Sequence, residues 1–300
     1  MIVPTRARPR QLSRCLRALA QVDYPSGLWE LIVVDDGGGV VVDEPGPPLT
    51  LLRRPPGGPA SARNAGIAAA GGDYIAFTDD DCEPDAGWLA SFADGFDRFP
   101  DAMLGGRIVN ALPANVFSGA SQRVTDLVYA HYNRDPGGCR FFASNNLALP
   151  REALMALGGF DADRFPFASE DRDLCDRWRA AGARMVYLPD ALVRHRHELD
   201  LIGFCRQHFE YGRGAARYHA ARAQRGSGRL SDEMSFHLDA RLWASAAAAR
   251  PAGVALLAVW QLCNALGFAC ELCASPRRST RGRPGSPRSA RAPRPRLRRA

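Results

Sequence analysis

The sequence predicts an α/β fold built on an open, mostly parallel β-sheet that is covered by helices. Short apolar runs alternate with segments of helical periodicity through the first two hundred residues, and that order is typical of β-α-β units. Two of the apolar runs lead directly into acidic clusters, Asp35 with Asp36 and the triplet Asp79, Asp80 and Asp81. Ligands bind beyond the carboxyl ends of the strands in such sheets, so we expect both clusters to face one crevice.

The individual elements follow from periodicity and from the turn residues between them. The predicted strands are residues 2–3, 31–34, 49–52, 73–78, 107–112, 141–149 and 185–188. The predicted helices are residues 11–20, 60–70, 88–99, a helix that begins near Glu170, and most of residues 201–248. Residues 110–145 are otherwise expected to supply loops. The chain therefore divides into a body at residues 1–200, a helical extension at 201–250, an apolar helix at 251–274 and a tail at 275–300.

The formal net charge of +7 comes from the tail and not from the body. The chain has 300 residues, 46% of them hydrophobic and 24% charged, which excludes a wholly unstructured protein. Ten of the 39 Lys and Arg residues lie in residues 276–300, which contain no acid. This Arg- and Pro-rich segment has little to bury and is predicted to be disordered. It could contact anionic lipid or nucleic acid, but a solvated charge run with no specific nucleic-acid partner is the simpler interpretation.

Residues 251–270 contain no charged side chain, and this length approaches the roughly 20 apolar residues of a membrane span. Three interpretations stay open: a span, a helix lying in the membrane surface, and a helix packed on the body or on a partner. Gln261, Asn264 and Glu271 fall in one sector of an ideal helix, an amphipathic pattern that speaks against a span. The first residues lack the apolar core of a signal peptide. We therefore expect a cytoplasmic protein, with peripheral contact to the inner face of the membrane through residues 251–300 as an option.

The triplet Asp79, Asp80 and Asp81 is the strongest chemical signal. Three adjacent carboxylates repel one another, so a bound cation is the expected compensation. Oxygen ligands favour Mg²⁺ or Mn²⁺, which in turn bind diphosphates.

The motifs together resemble the family 2 glycosyltransferases over residues 1–200. They are Val-Pro-Thr at 3–5, Val-Val-Asp-Asp-Gly at 33–37, Ala-Arg-Asn-Ala-Gly at 62–66, the segment 73–81, Ser-Asn-Asn at 144–146, Gly-Gly-Phe-Asp at 158–161 and Glu-Asp at 170–171. The resemblance implies a Rossmann-like fold of the glycosyltransferase A type in residues 1–200 as the catalytic domain. It also implies inverting transfer of a sugar from a nucleotide-diphosphate sugar to a glycan, lipid-linked or small-molecule acceptor.

The resemblance also implies roles for individual residues. Asp171 would be the catalytic base with Glu170 beside it, and Asp81, with His195, would hold Mg²⁺ or Mn²⁺. Asn145 and Asn146 could bind the sugar or acceptor. The residues expected on the nucleotide are Pro4, Thr5, Arg6, Asp35, Arg63, Asp79 and Asp80.

One departure from the family pattern and two alternatives complete the sequence-based hypothesis. The Gln-x-x-Arg-Trp signature of processive synthases is absent, which favours transfer of a single sugar. A nucleotidyltransferase could use the same acidic crevice, although the Gly-rich phosphate loop near the first strand is missing. A non-enzymatic module that binds through the basic tail is the second alternative.

Overall fold

The computed structural model describes residues 1–42, 48–135, 137–228, 236 and 251–274. Within them, eight strands form one sheet in the order β3-β2-β1-β4-β7-β6-β8-β5. The strands are β1 (Ile2–Thr5), β2 (Leu31–Asp36), β3 (Leu49–Arg54), β4 (Tyr74–Phe77), β5 (Cys82–Pro84), β6 (Met103–Asn110), β7 (Leu147–Pro150) and β8 (Met185–His195). The helices are α1 (Pro9–Leu19), α2 (Pro59–Ala69), α3 (Trp88–Arg98), α4 (Val116–Tyr132), α5 (Arg151–Ala156), α6 (Glu170–Ala180), α7 (Leu201–Arg225) and α8 (Pro251–Ala274).

The direction of the strands changes in the middle of the sheet. Strands β3, β2, β1 and β4 are parallel, whereas β7 is antiparallel to both of its neighbours, β4 and β6. Strand β8 is parallel to β6, and the short β5 runs antiparallel at the edge. The predicted α/β fold with a mostly parallel sheet is confirmed. The carboxyl ends of β1, β2 and β4 therefore lie at one edge, where the acidic clusters begin.

Successive side chains of a strand point to opposite faces of the sheet, so the strands contribute to two apolar layers, one on each face. On one face, Val3 and Val33 pack with α1 and α3, and Trp88 of α3 is fully buried there. On the other face, Ile32 packs with α2 and α6, and Trp178 of α6 is buried at that layer. Because strand β2 is buried on both sides, its sequence is a continuous apolar run and not an alternating one.

The sequence-based prediction missed β5 and α5, and β6 spans Met103–Asn110 in place of the predicted 107–112. Three further elements differ. Residues 116–132, expected within a loop region, form α4, which the Asn115 side chain caps by accepting from the amides of Phe117 and Ser118. Strand β7 begins only at Leu147, because the preceding Ser144–Asn146 form a 3-10 turn. Strand β8 extends beyond the predicted 185–188 to His195, because β5 pairs with its far end.

Helix α8 packs against α7 through two glycines. A Cβ at Gly212 of α7 would overlap the carbonyl oxygen of Asn264, and a Cβ at Gly267 of α8 would overlap that of Phe209. Glu271 accepts hydrogen bonds from Arg213 at 2.9 Å and from Arg217 at 2.8 Å. Glycines at such positions allow two helix backbones to approach closely. We refer to this pairing of α7 and α8 as the glycine seam.

The outward face of α8 is apolar. Val254, Leu262, Leu266 and Leu272 are 40 to 60% exposed, and the segment Val254–Ala274 is long and apolar enough, by composition, to cross a bilayer. Of the three interpretations of this helix, packing on the body is the one that the structure describes. The predicted disordered tail and most of residues 229–250 lie outside the described residues, so the division into an extension and a tail stays a prediction.

Candidate active site

A cavity of about 880 Å³ lies at the edge of the sheet where β1, β2 and β4 end. Its floor is made by the loop after β1, the carboxylates after β4 and the N-terminal end of α6, while α4, α7 and α8 form the opposite wall. This volume lies near the upper end of the ~300–1,000 Å³ range of small-molecule sites. The cavity therefore has room for more than one reacting molecule.

Asp80 is a buried part of the cavity floor and is held by two donors. The Thr5 hydroxyl donates to its Oδ2 at 2.7 Å, and Arg8 Nη1 donates to its Oδ1 at 3.1 Å. Burial and the adjacent Asp81 raise the pKa of Asp80 to about 6, against the opposing effect of Arg8 and Thr5. Asp80 thus fixes the loop after β1 to the loop after β4.

Asp81 lies beside His195, which is the last residue of β8. The distance from His195 Nε2 to Asp81 Oδ1 is 3.2 Å. Burial alone would raise the pKa of Asp81, but His195, and then Arg8, hold it well below its usual range. The same partnership raises the pKa of His195 against burial. Asp81 therefore stays ionised in this environment.

The ligand atoms of Asp81, His195 and Cys82 lie within 4.8 Å of one another. A carboxylate and an imidazole are suitable donors for Mn²⁺, and a carboxylate also suits Mg²⁺. Burial, with Asp81 and Asp79, raises the pKa of the Cys82 thiol well above its ordinary value, so this thiol is protonated and a poor ligand. The donor set fits a divalent cation held by Asp81 and His195, with further positions left for ligand oxygens.

Arg63 connects the two acidic groups of the site. Its Nη2 donates to Asp79 Oδ1 at 2.7 Å and its Nη1 donates to Glu170 Oε1 at 2.9 Å. The side chain is only 3% exposed, and although burial would lower its pKa, Asp79 and Glu170 raise it. A permanently charged guanidinium therefore lies between the carboxylates after β4 and the start of α6.

Asp171 is the second residue of α6 and lines the cavity. Its Oδ1 accepts from the amide of Arg172 at 2.7 Å, and burial and the neighbouring Glu170 raise its pKa to about 7. Ser169, the residue immediately before α6, has a left-handed backbone conformation with φ of 68°. A Cβ at Gly214 of α7 would come within 2.7 Å of the Ser169 hydroxyl oxygen. Helix α7 thus packs directly against the turn that presents Asp171.

The site residues predicted from the sequence do not all reach the cavity. Pro4, Thr5, Arg6, Arg63, Asp79, Asp80, Asp81, Asn145, Glu170, Asp171 and His195 line it. Asp35 and Asn146 are not among the lining residues. The carboxylate of Asp35 accepts from the amides of Gly38 and Val40. The Asn146 amide is fully used, since it accepts from Trp88 and donates to the carbonyls of Arg107 and Ala191.

Most of the residues on the cavity floor lie in a part of the chain that matches a known family. The family model described as "Glycosyl transferase family 2" matches residues 1–158, which is more than half of the chain. The chain belongs to glycosyl transferase family 2.

A curated relative supports the assignment of this family 2 member. A pre-mycofactocin glycosyltransferase of Mycobacterium tuberculosis is 33% identical over 168 residues, which cover 53% of this chain and 34% of that protein. The chain therefore spans about a third of the length of the curated relatives it matches.

Solved structures of glycosyltransferases have the same fold. A mannosyltransferase from Pyrobaculum calidifontis, in complex with GDP-Man and Mn²⁺, has a TM-score of 0.61 at 21% identity, covering 91% of this chain and 85% of that one. S. aureus TarS 1-349 has a TM-score of 0.53 at 16% identity, covering 91% and 90%. The fold of the glycosyltransferase A type is thus confirmed.

The structure adds Arg8, which the sequence analysis did not select, to the site of this family member, and it places Asp36 of the predicted acidic cluster, not Asp35, at the cavity. Arg8 bridges Asp80 and Asp81, and Asp36 lines the cavity while binding Arg54 and the amides of Gly57 and Gly58. The sequence analysis expected the cluster of Asp35 and Asp36 at this crevice but chose Asp35 as the nucleotide contact. The sequence signal for Arg8 is its position in the chain, three residues after Thr5, which is the last residue of β1.

Proposed function

We propose that this family 2 member transfers a single sugar, with inversion, from a nucleotide-diphosphate sugar to an acceptor hydroxyl, and that Asp171 is the base. The observation that carries the proposal is the position of Asp171 on the cavity, joined through Glu170 and Arg63 to Asp79. A base on one side and a diphosphate-binding group on the other are what a single displacement needs. The Mn²⁺ and GDP-Man of the Pyrobaculum mannosyltransferase support the same class of donor.

In this reaction the acceptor oxygen forms a bond to the anomeric carbon while the bond from that carbon to the diphosphate breaks. The acceptor proton passes to the Asp171 carboxylate, and the diphosphate leaves with the electron pair. Because one oxygen enters as the other leaves from the opposite side, the anomeric centre inverts. With a pKa raised to about 7, Asp171 accepts a proton more readily than an ordinary carboxylate would, and it is still ionised in a useful fraction near neutral pH.

The departing diphosphate would be stabilised at the opposite end of the cavity. A divalent cation held by Asp81 and His195 would supply Lewis-acid stabilisation of its charge. The hydrogen bond from Thr5 to Asp80 holds the loop after β1 at this end of the cavity. The hydrogen bond from Arg63 fixes the direction of the Asp79 carboxylate. The residues proposed to contact the nucleotide are Pro4, Arg6, Arg63 and Asp79. The role proposed for Asp35 is indirect, because its carboxylate accepts hydrogen bonds from the amides of Gly38 and Val40 and so shapes the loop after β2.

The metal and donor can be tested by binding alone. We expect one of the diphosphates UDP, GDP, TDP or CDP to raise the melting temperature only with Mn²⁺ or Mg²⁺. At about 100 times its dissociation constant the shift should be roughly 5 to 10 °C. Asp81→Ala should abolish this shift, whereas the exposed Asp97→Ala on α3 should retain it. A shift that survives in Asp81→Ala, or that needs no metal, would contradict the proposed cation site.

Family membership favours glycosyl transfer over the two alternatives drawn from the sequence. A nucleotidyltransferase would release pyrophosphate from a nucleoside triphosphate, while the proposed reaction releases a nucleoside diphosphate from a sugar donor. Measuring which of the two products forms separates these reactions directly. A non-enzymatic module would form neither product.

We also propose that α8 contacts a membrane surface from the cytoplasmic side. Its polar residues turn inward, Gln261 and Asn264 to the cavity and Glu271 to Arg213, while Leu262 and Leu266 point outward. The ten arginines of residues 276–300 follow directly. An apolar helix face beside a basic segment suits an anionic bilayer.

Vesicle flotation of the full chain tests this membrane contact. We expect binding to phosphatidylglycerol vesicles, weakened by salt, and about tenfold less binding for Leu262→Asn with Leu266→Asn. The control pair is Leu28→Asn with Met155→Asn, since both side chains are comparably exposed elsewhere. Equal losses of binding in the two pairs, or no binding by the unaltered chain, would contradict the proposal.

A further inference from the structure

Arg8 is the residue immediately before α1, and its side chain reaches the acids that follow β4. One nitrogen, Nη1, donates to Asp80 Oδ1 at 3.1 Å and to Asp81 Oδ2 at 3.2 Å. The Nη2 and Nε atoms donate to no acceptor among the described residues. The side chain is 53% exposed and lines the cavity. Arg8 is therefore attached through a single nitrogen, and the other donors of its guanidinium remain available to a ligand.

Each oxygen of the Asp81 carboxylate faces a nitrogen of another side chain. Oδ1 lies 3.2 Å from His195 Nε2, and Oδ2 accepts from Arg8. An imidazole nitrogen can itself bind a cation, whereas a guanidinium has five N–H donors and no acceptor. His195 can therefore share a cation with Asp81. Arg8 cannot, because its permanent positive charge would repel a cation held by the same carboxylate.

The charged side chains of the cavity are unfavourable for an anionic ligand on their own. Among the described lining residues, six are Asp or Glu and four are Arg. One of these arginines, Arg63, is 3% exposed and donates through both Nη atoms to carboxylates, those of Asp79 and Glu170. A diphosphate would therefore meet an excess of negative charge. Its binding is favoured by a cation and by an arginine that can leave its present acid.

We propose that Arg8 and the divalent cation compete for Asp81, and that with the cation bound the Arg8 guanidinium turns to the diphosphate of the donor. The side chain can turn because it is half exposed on the cavity surface and long enough to adopt other rotamers. A planar guanidinium can donate two parallel hydrogen bonds to phosphate oxygens. The proposal rests on the proposed function for the donor and on the observed contacts of Arg8 for the competition.

A purely structural role for Arg8 would give a different result when the side chain is removed. If its hydrogen bonds only fixed the loop after β1 to the loop after β4, their loss would weaken cation binding and nucleotide binding together. Competition gives shifts of opposite sign. Removing Arg8 makes Asp81 more available to the cation, and it also takes a hydrogen-bond donor away from the diphosphate.

Arg8→Met in the full chain tests the competition by binding alone. Mn²⁺ without nucleotide, followed by the electron paramagnetic resonance signal of the unbound ion, should bind about five- to tenfold more tightly than to the unaltered chain. With saturating Mn²⁺, whichever of UDP, GDP, TDP and CDP binds best should bind at least about tenfold less tightly in calorimetry. Arg8→Lys keeps the charge and should bind Mn²⁺ within about twofold of the unaltered chain. Arg10→Met, at an exposed position of α1, is the matched control and should change neither affinity by more than about twofold.

The sign of each shift decides the outcome, and a gain of Mn²⁺ affinity cannot arise from a misfolded variant. The proposal is overturned if Arg8→Met binds Mn²⁺ no more tightly than the unaltered chain, if its nucleotide affinity is unchanged, or if Arg10→Met shows the same two shifts. Failure of the unaltered chain to bind Mn²⁺ would overturn the cation site and this proposal together. Opposite shifts without transfer from any sugar donor would instead contradict the proposed function and leave the competition at Asp81 standing.

Discussion

Asp171→Asn should lower the turnover number by about 10²- to 10⁴-fold, the usual contribution of a positioned base, and should leave nucleotide affinity nearly unchanged. The amide cannot take the acceptor proton, yet it has almost the same size and its oxygen can still accept from the amide of Arg172. Arg63 donates to Glu170 and Asp79, not to Asp171. The nucleotide end of the cavity should therefore keep its geometry.

The pH dependence gives this prediction a second readout. A base must be ionised to act, and burial and Glu170 raise the pKa of Asp171 to about 7. The value of kcat/KM should therefore fall about tenfold per pH unit below pH 7 and level off above it. Residual transfer by Asp171→Asn should lack this acidic limb. The exposed Asp163→Asn, in the loop before α6, is the matched control, and equal losses of turnover and of nucleotide affinity in Asp171→Asn would refute its role as base.

Arg63→Met should destabilise the folded protein by about 3 to 5 kcal/mol. Removing one partner of a buried ion pair leaves the other charge uncompensated, and the Glu170 side chain is only 9% exposed. Asp79 is 30% exposed, so water can partly replace the guanidinium there, which places the expected loss of stability toward the lower end of the range. Nucleotide affinity should fall as well, because Asp79 loses the donor that directs it.

Urea denaturation of Arg63→Met beside the exposed Arg10→Met separates burial from loss of a positive charge. Adding Glu170→Gln to Arg63→Met should recover part of the lost stability, since the carboxylate that remained unpaired is then neutral. Full stability in Arg63→Met would show that the ion pairs contribute little. An additive double variant would show that Arg63 and Glu170 do not stabilise one another.

The sheet edge could be predicted because its signals are local. The acids of the triplet Asp79 to Asp81 follow their strand immediately, and the ends of parallel strands meet at one edge whatever the rest of the fold does. Glu170 and Asp171 could be placed at a helix start for the same reason, since acids favour the first turn. These predictions needed no knowledge of which distant parts of the chain pack together.

Asn146 and Asp35 show why the sequence alone could not say which of the predicted residues line the cavity. The partners of Asn146 are Trp88, Arg107 and Ala191, all more than 35 positions away in the chain. For Asp35 and Asp36, the alternation of side chains along β2 sends one carboxylate to each side. Which side carries the cavity depends on how the helices cover the sheet, and a single sequence does not state it.

Helix α4 and the cavity face of α8 illustrate the remaining gap. The Asn115 cap is a recognisable start signal, and Phe117, Ala120, Val124 and Val128 follow it at helical spacing, yet residues 116–132 were expected within a loop region. The role of α8 could not be derived, since its polar sector suits a cavity wall as well as a water-facing surface.

The glycine seam fixes the spacing between α7 and α8, two of the helices that line the cavity. At Gly212 and Gly267 the backbones of α7 and α8 already touch, so even a methyl group would overlap a carbonyl oxygen. Helix α8 consequently cannot move closer to α7, and any larger side chain at either glycine would push the two helices apart. Because both helices line the cavity, such a substitution should alter the shape of its wall without changing a lining residue.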